Sequence, residues 1–75
     1  MATDICIRLG KRIRELRKSR GWRQIDLAEH SGIGKNHISE LEKGNREIGL
    51  LNLEAVAQAL DTLPSDLLRS IESKE

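Results

Sequence analysis

Apolar residues recur along this chain at helical spacing. Cys6, Leu9, Ile13 and Leu16 fall three and four apart, which makes one stripe of a helix over residues 4–20. Asp4 caps or begins that helix with a favourable negative charge. Lys18, Ser19, Arg20 and Gly21 close it, with basic residues in the last turn and then glycine. A second helix over 24–31 buries Ile25, Leu27 and Ala28, with Asp26 in its first turn. A third over 35–43 lies between Gly34 and Gly44 and puts Ile38 and Leu41 on one face. A fourth over 50–61 follows Gly49 and carries the stripe Leu50, Leu53, Val56, Ala57 and Leu60, with Leu51 outside it. Pro64 suits the first turn of a fifth helix over 64–72, whose apolar side is Leu67, Leu68 and Ile71 and which frays into Ser73, Lys74 and Glu75. The connections are short, with no repeat or linker. The expectation is one all-α unit spanning residues 1–75, a compact five-helix bundle.

Within this pattern the stretch from Arg23 to Gly44 has the form of two short helices around a tight turn. Ala28 is small enough for one helix to cross closely over the other. Gly32 can take the left-handed conformation that ends the first. Ile38 and Leu41 point into the angle between them, which leaves Lys35, Asn36, Ser39, Glu40 and Lys43 outside. A helix with donors and acceptors on its outer face is what a DNA major groove accepts. The stretch therefore reads as a helix-turn-helix over 24–43.

Composition narrows the rest. The chain has 75 residues, 37% hydrophobic and 33% charged, with Trp22 its one aromatic. The core must be aliphatic, and a partner subunit could add burial to so small a domain. The net charge is +1, but it is unevenly placed. Residues 1–46 hold eleven Lys/Arg against six Asp/Glu, whereas residues 47–75 hold two against six. That polarity fits a basic half facing phosphate and an acidic half turned away. No run approaches the roughly 18 apolar residues that span a bilayer, and no N-terminal segment has the form of a signal peptide. The single Cys6 cannot form an internal disulfide, which suits a reducing cytoplasm.

Little in the chain points to catalysis. Cys6, His30 and His37 lack the number and spacing of a zinc site, and neither a phosphate-binding glycine loop nor a nucleophile elbow occurs. Cys6 reads as a small apolar helix residue rather than a redox sensor. Trp22 reads as an apolar anchor against the first helix, because duplex recognition does not use stacking platforms. No enzyme activity, metal, cofactor or small-molecule ligand is expected.

The combination of a basic first helix, Gly-Trp, Gln-x-x-Leu-Ala, Gly-Ile and Ile-Ser-x-Leu-Glu-x-Gly resembles the Cro/C1-type (phage-repressor-like, XRE) helix-turn-helix domains. The likeness runs from Leu9 to Leu68. Within the family, the short chain and the Asn-Arg-Glu-Ile-Gly-Leu stretch are most similar to restriction-modification controller proteins. The resemblance implies a five-helix fold and specific roles. Gln24 bonds phosphate and braces the recognition helix. Lys35, Asn36 and Glu40 face bases. Lys43, Asn45 and Arg46 follow the backbone, and Arg17 and Glu42 form an internal salt bridge. These side chains have the chemistry for it: Lys donates to guanine, Asn pairs bidentately with adenine, and Glu accepts from cytosine unless it sits as a spectator beside Lys43. Arg12 and Arg46 are sequence-independent phosphate candidates. His37 and Ser39 reach base or phosphate, or are simply solvated.

The chain departs from the family at three places. Arg23 replaces a Ser or Thr cap, with a phosphate contact as its compensation. Gly34 replaces a Ser or Thr, and Ile48-Gly49 replaces Pro-Ser. The expected function is a sequence-specific duplex-DNA-binding transcriptional regulator, such as a repressor, in a prokaryotic or phage-infected cytoplasm and on the nucleoid when bound. It would act as a homodimer on an inverted repeat. The region 50–72 supplies the interface, through Leu51, Leu63, Leu68 and Ile71, unless these only complete the monomer core. The alternatives are an antitoxin-type autoregulator that also binds a toxin, and a helix-turn-helix used only for protein interaction.

Overall fold

A computed structural model describes residues 4–69 and 71. The described chain forms α1 (Asp4–Ser19), α2 (Gln24–Ser31), α3 (Lys35–Lys43), α4 (Leu50–Ala59) and α5 (Pro64–Arg69). These are the elements the periodicity predicts, packed as an all-α bundle. Helix α3 packs on α1 and α2, α4 on α2 and α5, and α5 also on α1. The five largest fully buried side chains are Ile13, Leu27, Ile38, Val56 and Leu67, one from each helix. Residue Ile33, in the turn between α2 and α3, completes the centre at 7% exposure.

The helix ends are set by local chemistry. Gly32 has φ 77° and donates its N–H to Ala28 O at 2.9 Å, so α2 stops there and the chain turns into α3. After α3, Gly44 N–H donates to Leu41 O and Asn45 N–H to Glu40 O, each at 3.1 Å. This paired closure needs a left-handed residue, and Gly44 supplies it with φ 78°. Helix α4 ends two residues short of the expected 61 because Asp61 plays the same part at φ 56°. Asp61 N–H then donates to Gln58 O at 3.1 Å and Thr62 N–H to Ala57 O at 2.9 Å. Aspartate is one of the few non-glycine residues that tolerates this conformation.

Four burial expectations change, the first being Ile25, which is half-buried rather than buried in α2. Leu50 is 82% exposed rather than part of the α4 stripe, because it is the first residue of the helix and no described residue covers that turn. Ile71 is buried at 7% with the core, so it completes the monomer and does not belong to a dimer surface. Cys6 is only half-buried, in the first turn of α1. The expected continuation of α5 to 72 and the frayed tail lie outside the described residues.

One core residue has no apolar signature. A Cβ placed on Gly10 would sit 2.4 Å from Leu41 O and 2.6 Å from Glu42 O. Helix α1 therefore meets the end of α3 backbone to backbone, and only hydrogen fits between them. Gly10→Ala should lower stability by about 1–3 kcal/mol despite the better helix propensity of alanine. Urea unfolding checks this, and unchanged stability would mean that the two helices do not cross so closely.

Candidate nucleic-acid interface

The angle between α1, α2 and α3 is held by one buried carboxylate. Arg17 Nε donates to Glu42 Oε2 at 2.7 Å and Arg17 Nη2 to Glu42 Oε1 at 3.0 Å. The two side chains are 8% and 4% exposed. Gln24 Nε2 donates to the same Oε1 at 3.1 Å, and Arg17 Nη1 reaches Trp22 O at 2.7 Å. Arg17 of α1 and Gln24 of α2 thus meet at Glu42 of α3, and Arg17 ties the α1–α2 turn to the pair. A bidentate guanidinium is suited to such a site because its planar fork satisfies both carboxylate oxygens and still has a donor to spare. The pair that the resemblance links is in direct contact, and Gln24, expected at phosphate and as a brace, has its amide tied to it.

With Glu42, Ile38 and Leu41 turned inward, the remainder of α3 is open. Lys35, Asn36 and Lys43 are exposed, and His37, Ser39 and Glu40 are partly covered. Glu40 sits within a local set of donors. Asn45 Nδ2 donates to its Oε1 at 3.4 Å, and Lys43 Nζ lies 3.9 Å from its Oε2. Asn45 and Arg46 follow on the exposed loop. The face therefore presents mixed donors and acceptors with no apolar residue among them.

At the start of α2, Arg23 has extended backbone angles and supplies no side-chain cap. A guanidinium has no acceptor, so it cannot take an N–H of the first turn. Asp26 does the work from three residues on: its Oδ2 accepts Arg23 N–H at 2.8 Å and its carboxylate accepts Arg23 Nε and Nη2, each at 3.3 Å. These bonds hold the Asp26 carboxyl below its ordinary value of 3.8 and the Arg23 guanidinium above its own. In the sequence Asp26 reads only as a favourable first-turn charge. The signal that would have found this contact is the spacing, an acid three residues after the cap position.

Arg12 does not join this face. It lies two residues, about 200° of helix, from Gly10, which faces α3. It is one turn from Arg8, whose guanidinium donates to Ile71 O beyond α5. Arg12 is thus turned from α3 and paired to Glu15 at 3.4 Å, with its side chain 39% exposed. Trp22 is also committed: its ring stacks on His30 with centroids 4.2 Å apart and planes 4° from parallel. The Arg20 guanidinium lies 4.9 Å from the Trp22 ring and donates to Leu60 O at 3.2 Å. Among the described residues no group of three His, Cys, Asp or Glu could hold a metal ion, and no helix is long and apolar enough to cross a membrane.

The sequence matches the family described as Helix-turn-helix over residues 13–68. It is 33% identical over 69 residues to the control protein C.BamHI of Bacillus amyloliquefaciens, covering 91% of this chain and 85% of that one. The crystal structure of the restriction-modification controller protein C.AhdI from Aeromonas hydrophila superimposes with a TM-score of 0.80 at 37% identity, over 83% of this chain and 94% of that one. The biofilm master regulator SinR, solved in complex with DNA, gives a TM-score of 0.76 at 33% identity, over 80% of this chain and 97% of that one.

Two outcomes test the geometry. Glu42→Ala should cost about 3–5 kcal/mol, because it strands a buried guanidinium, whereas the double variant Arg17→Met, Glu42→Leu should lose less than Glu42→Ala alone. Denaturant unfolding of the single and double variants decides this, and additive losses would refute a coupled buried pair. The Asp26 carboxyl is depressed in the folded state, so its stabilisation is present above its ordinary value and is lost as pH falls through the lower folded one. The melting temperature of Asp26→Asn should therefore fall below wild type near neutrality, with the gap closing in strong acid.

Proposed function

The chain belongs to the helix-turn-helix family of DNA-binding transcriptional regulators, and we propose that it reads an inverted-repeat operator as a homodimer, in the manner of a restriction-modification controller. The observation that carries this reading is the outer face of α3: exposed Lys35 and Asn36, then Ser39 and Glu40, on a helix fixed from behind by Glu42. Lys35, Asn36 and Glu40 are assigned to base edges, and His37 and Ser39 flank them. Arg23, Gln24, Lys43, Asn45 and Arg46 are assigned to phosphates at the two ends of the motif, which positions the helix without reading sequence. A protein-interaction helix would present apolar anchors instead.

One recognition helix covers only a few base pairs, so specificity calls for two, about 34 Å apart on one side of the duplex. Exposed leucines on the acidic half offer a surface for the second copy. Leu50 and Leu51 are 82% and 80% exposed, Leu63 is 62% and Leu68 is 41%. Ile71 drops out of that set and Leu50 joins it. The described chain has no second folded unit for an effector, so occupancy would follow protein concentration through dimerisation. The cytoplasm, with its DNA and reducing thiols, is the compartment this implies.

Selection from a random duplex pool should enrich an inverted repeat with half-sites about one helical turn apart. No enriched motif, or a single unrepeated half-site, would contradict dimeric reading. Asn36→Ala should relax base choice at one position of each half-site by about 1–3 kcal/mol, and an unchanged preference profile would remove Asn36 from the base-reading set. Leu51→Asp should shift the sedimenting species to monomer and weaken operator binding by about tenfold or more, roughly 1.4 kcal/mol. A dimer unaffected by that change would place the interface elsewhere.

A further inference from the structure

We infer that Asp26 is a positioning residue for DNA binding: it orients the Arg23 guanidinium so that one edge of its fork faces a backbone phosphate. This deepens the proposed function and rests on it. The Asp26 carboxylate takes the Nε and Nη2 side of the guanidinium, with Nε on Oδ2 and Nη2 on Oδ1, each at 3.3 Å. That arrangement occupies one edge of the fork and leaves the Nη1/Nη2 edge without a partner among the described residues. A guanidinium offers five N–H donors in fixed geometry, so the free edge still suits a bidentate phosphate contact.

The placement of the pair supports this use. The Arg23 side chain is 80% exposed, whereas that of Asp26 is 27% exposed. The acid lies against the protein and the cation stands outside it, adjacent in sequence to Gln24. The Arg23 N–H bond to Asp26 Oδ2 at 2.8 Å fixes the backbone on which the guanidinium is carried. Asp26 is therefore anchored independently of the guanidinium it holds, so the long Arg23 side chain is partly ordered before DNA arrives. That lowers the entropy lost on binding. An arginine at a helix cap position, poor by capping rules, gains a partner that both closes the helix and aims the charge.

The proposal makes a prediction opposite in sign to simple electrostatics. Removing a negative charge beside DNA ordinarily tightens binding. Asp26→Asn should instead weaken it, because the guanidinium loses its orientation. The probe is a mixed-sequence duplex of about two helical turns at low salt, since phosphate contacts do not depend on sequence. Arg23→Ala and Asp26→Asn should each weaken binding about three- to fivefold and each reduce the salt slope by about one. The double variant should bind no more weakly than Arg23→Ala alone, and Asp26→Glu, which keeps the carboxylate, should stay close to wild type. Circular dichroism below the melting transition establishes that each variant is folded when it is titrated.

Equal or tighter binding by Asp26→Asn would overturn the proposal, as would a loss that persists undiminished in the Arg23→Ala background. In either case wild-type binding, and with it the proposed function, would stand. If the wild-type protein bound no duplex at all, the function itself would fall, and the inference with it.

Discussion

A single buried carboxylate sets the relative positions of three helices. Removing Glu42 and Arg17 from water is costly, and the site offsets that cost only because each donor and acceptor is met in good geometry. Arg17 satisfies both oxygens of Glu42, and Gln24 adds a third bond to one of them. Hydrophobic packing alone would allow α3 to slide or roll over α1, whereas these bonds fix its rotation. The third side-chain bond of Arg17, to Trp22 O, ties the turn before α2 to the same point. Gly10 completes the constraint by letting the α1 backbone reach the end of α3. The outward direction of Lys35, Asn36 and Glu40 is thus a consequence of what lies behind them.

Charge is divided in a way that follows from this frame. Helix α1 carries six of the thirteen Lys and Arg and α3 two, and the acids of α4 and α5 lie in the other half of the chain. Yet acids are not excluded from the motif. Glu42 is buried as a brace, Asp26 closes α2 beneath Arg23, and Glu40 sits among Lys43 and Asn45. Each is matched by a local donor, so its charge is offset and the long side chains beside it are partly ordered. Order of this kind favours discrimination, because a side chain already held in place loses less freedom on binding.

Much of the fold was legible in the sequence because it depends on local signals. The bounds of α2 and α3 follow from Gly32 and Gly44, and the inward face of α3 follows from Ile38 and Leu41 at a three-residue step. What was not legible depends on partners brought together by folding. Gly10 looks like a weak helix residue until α3 lies across it. Ile71 and Leu68 are both apolar near the end of α5, and only the path of α1 decides that one is covered and the other is not. Arg12 shares its charge with every cation of α1, and only the facing of Gly10 shows which side it is on. Trp22 packs against the core as the sequence suggests, but nothing local pairs its ring with His30 at the end of α2. Asp61 could not be distinguished from an ordinary helix residue, because a left-handed aspartate has no apolar or glycine signature. At the interface, resemblance supplied the roles of Gln24, Arg17 and Glu42, and geometry supplied the part of Asp26.

In the proposed complex the start of α2, the outside of α3 and the following loop meet DNA while α4 and α5 face away. Titrating isotope-labelled protein with its selected duplex and following backbone amide shifts tests it most directly. The largest changes should fall at Arg23, Gln24, residues 35–40, Asn45 and Arg46, with the turn around Asp61 and Asp66 unmoved. Changes concentrated on α4 and α5, with α3 silent, would contradict it.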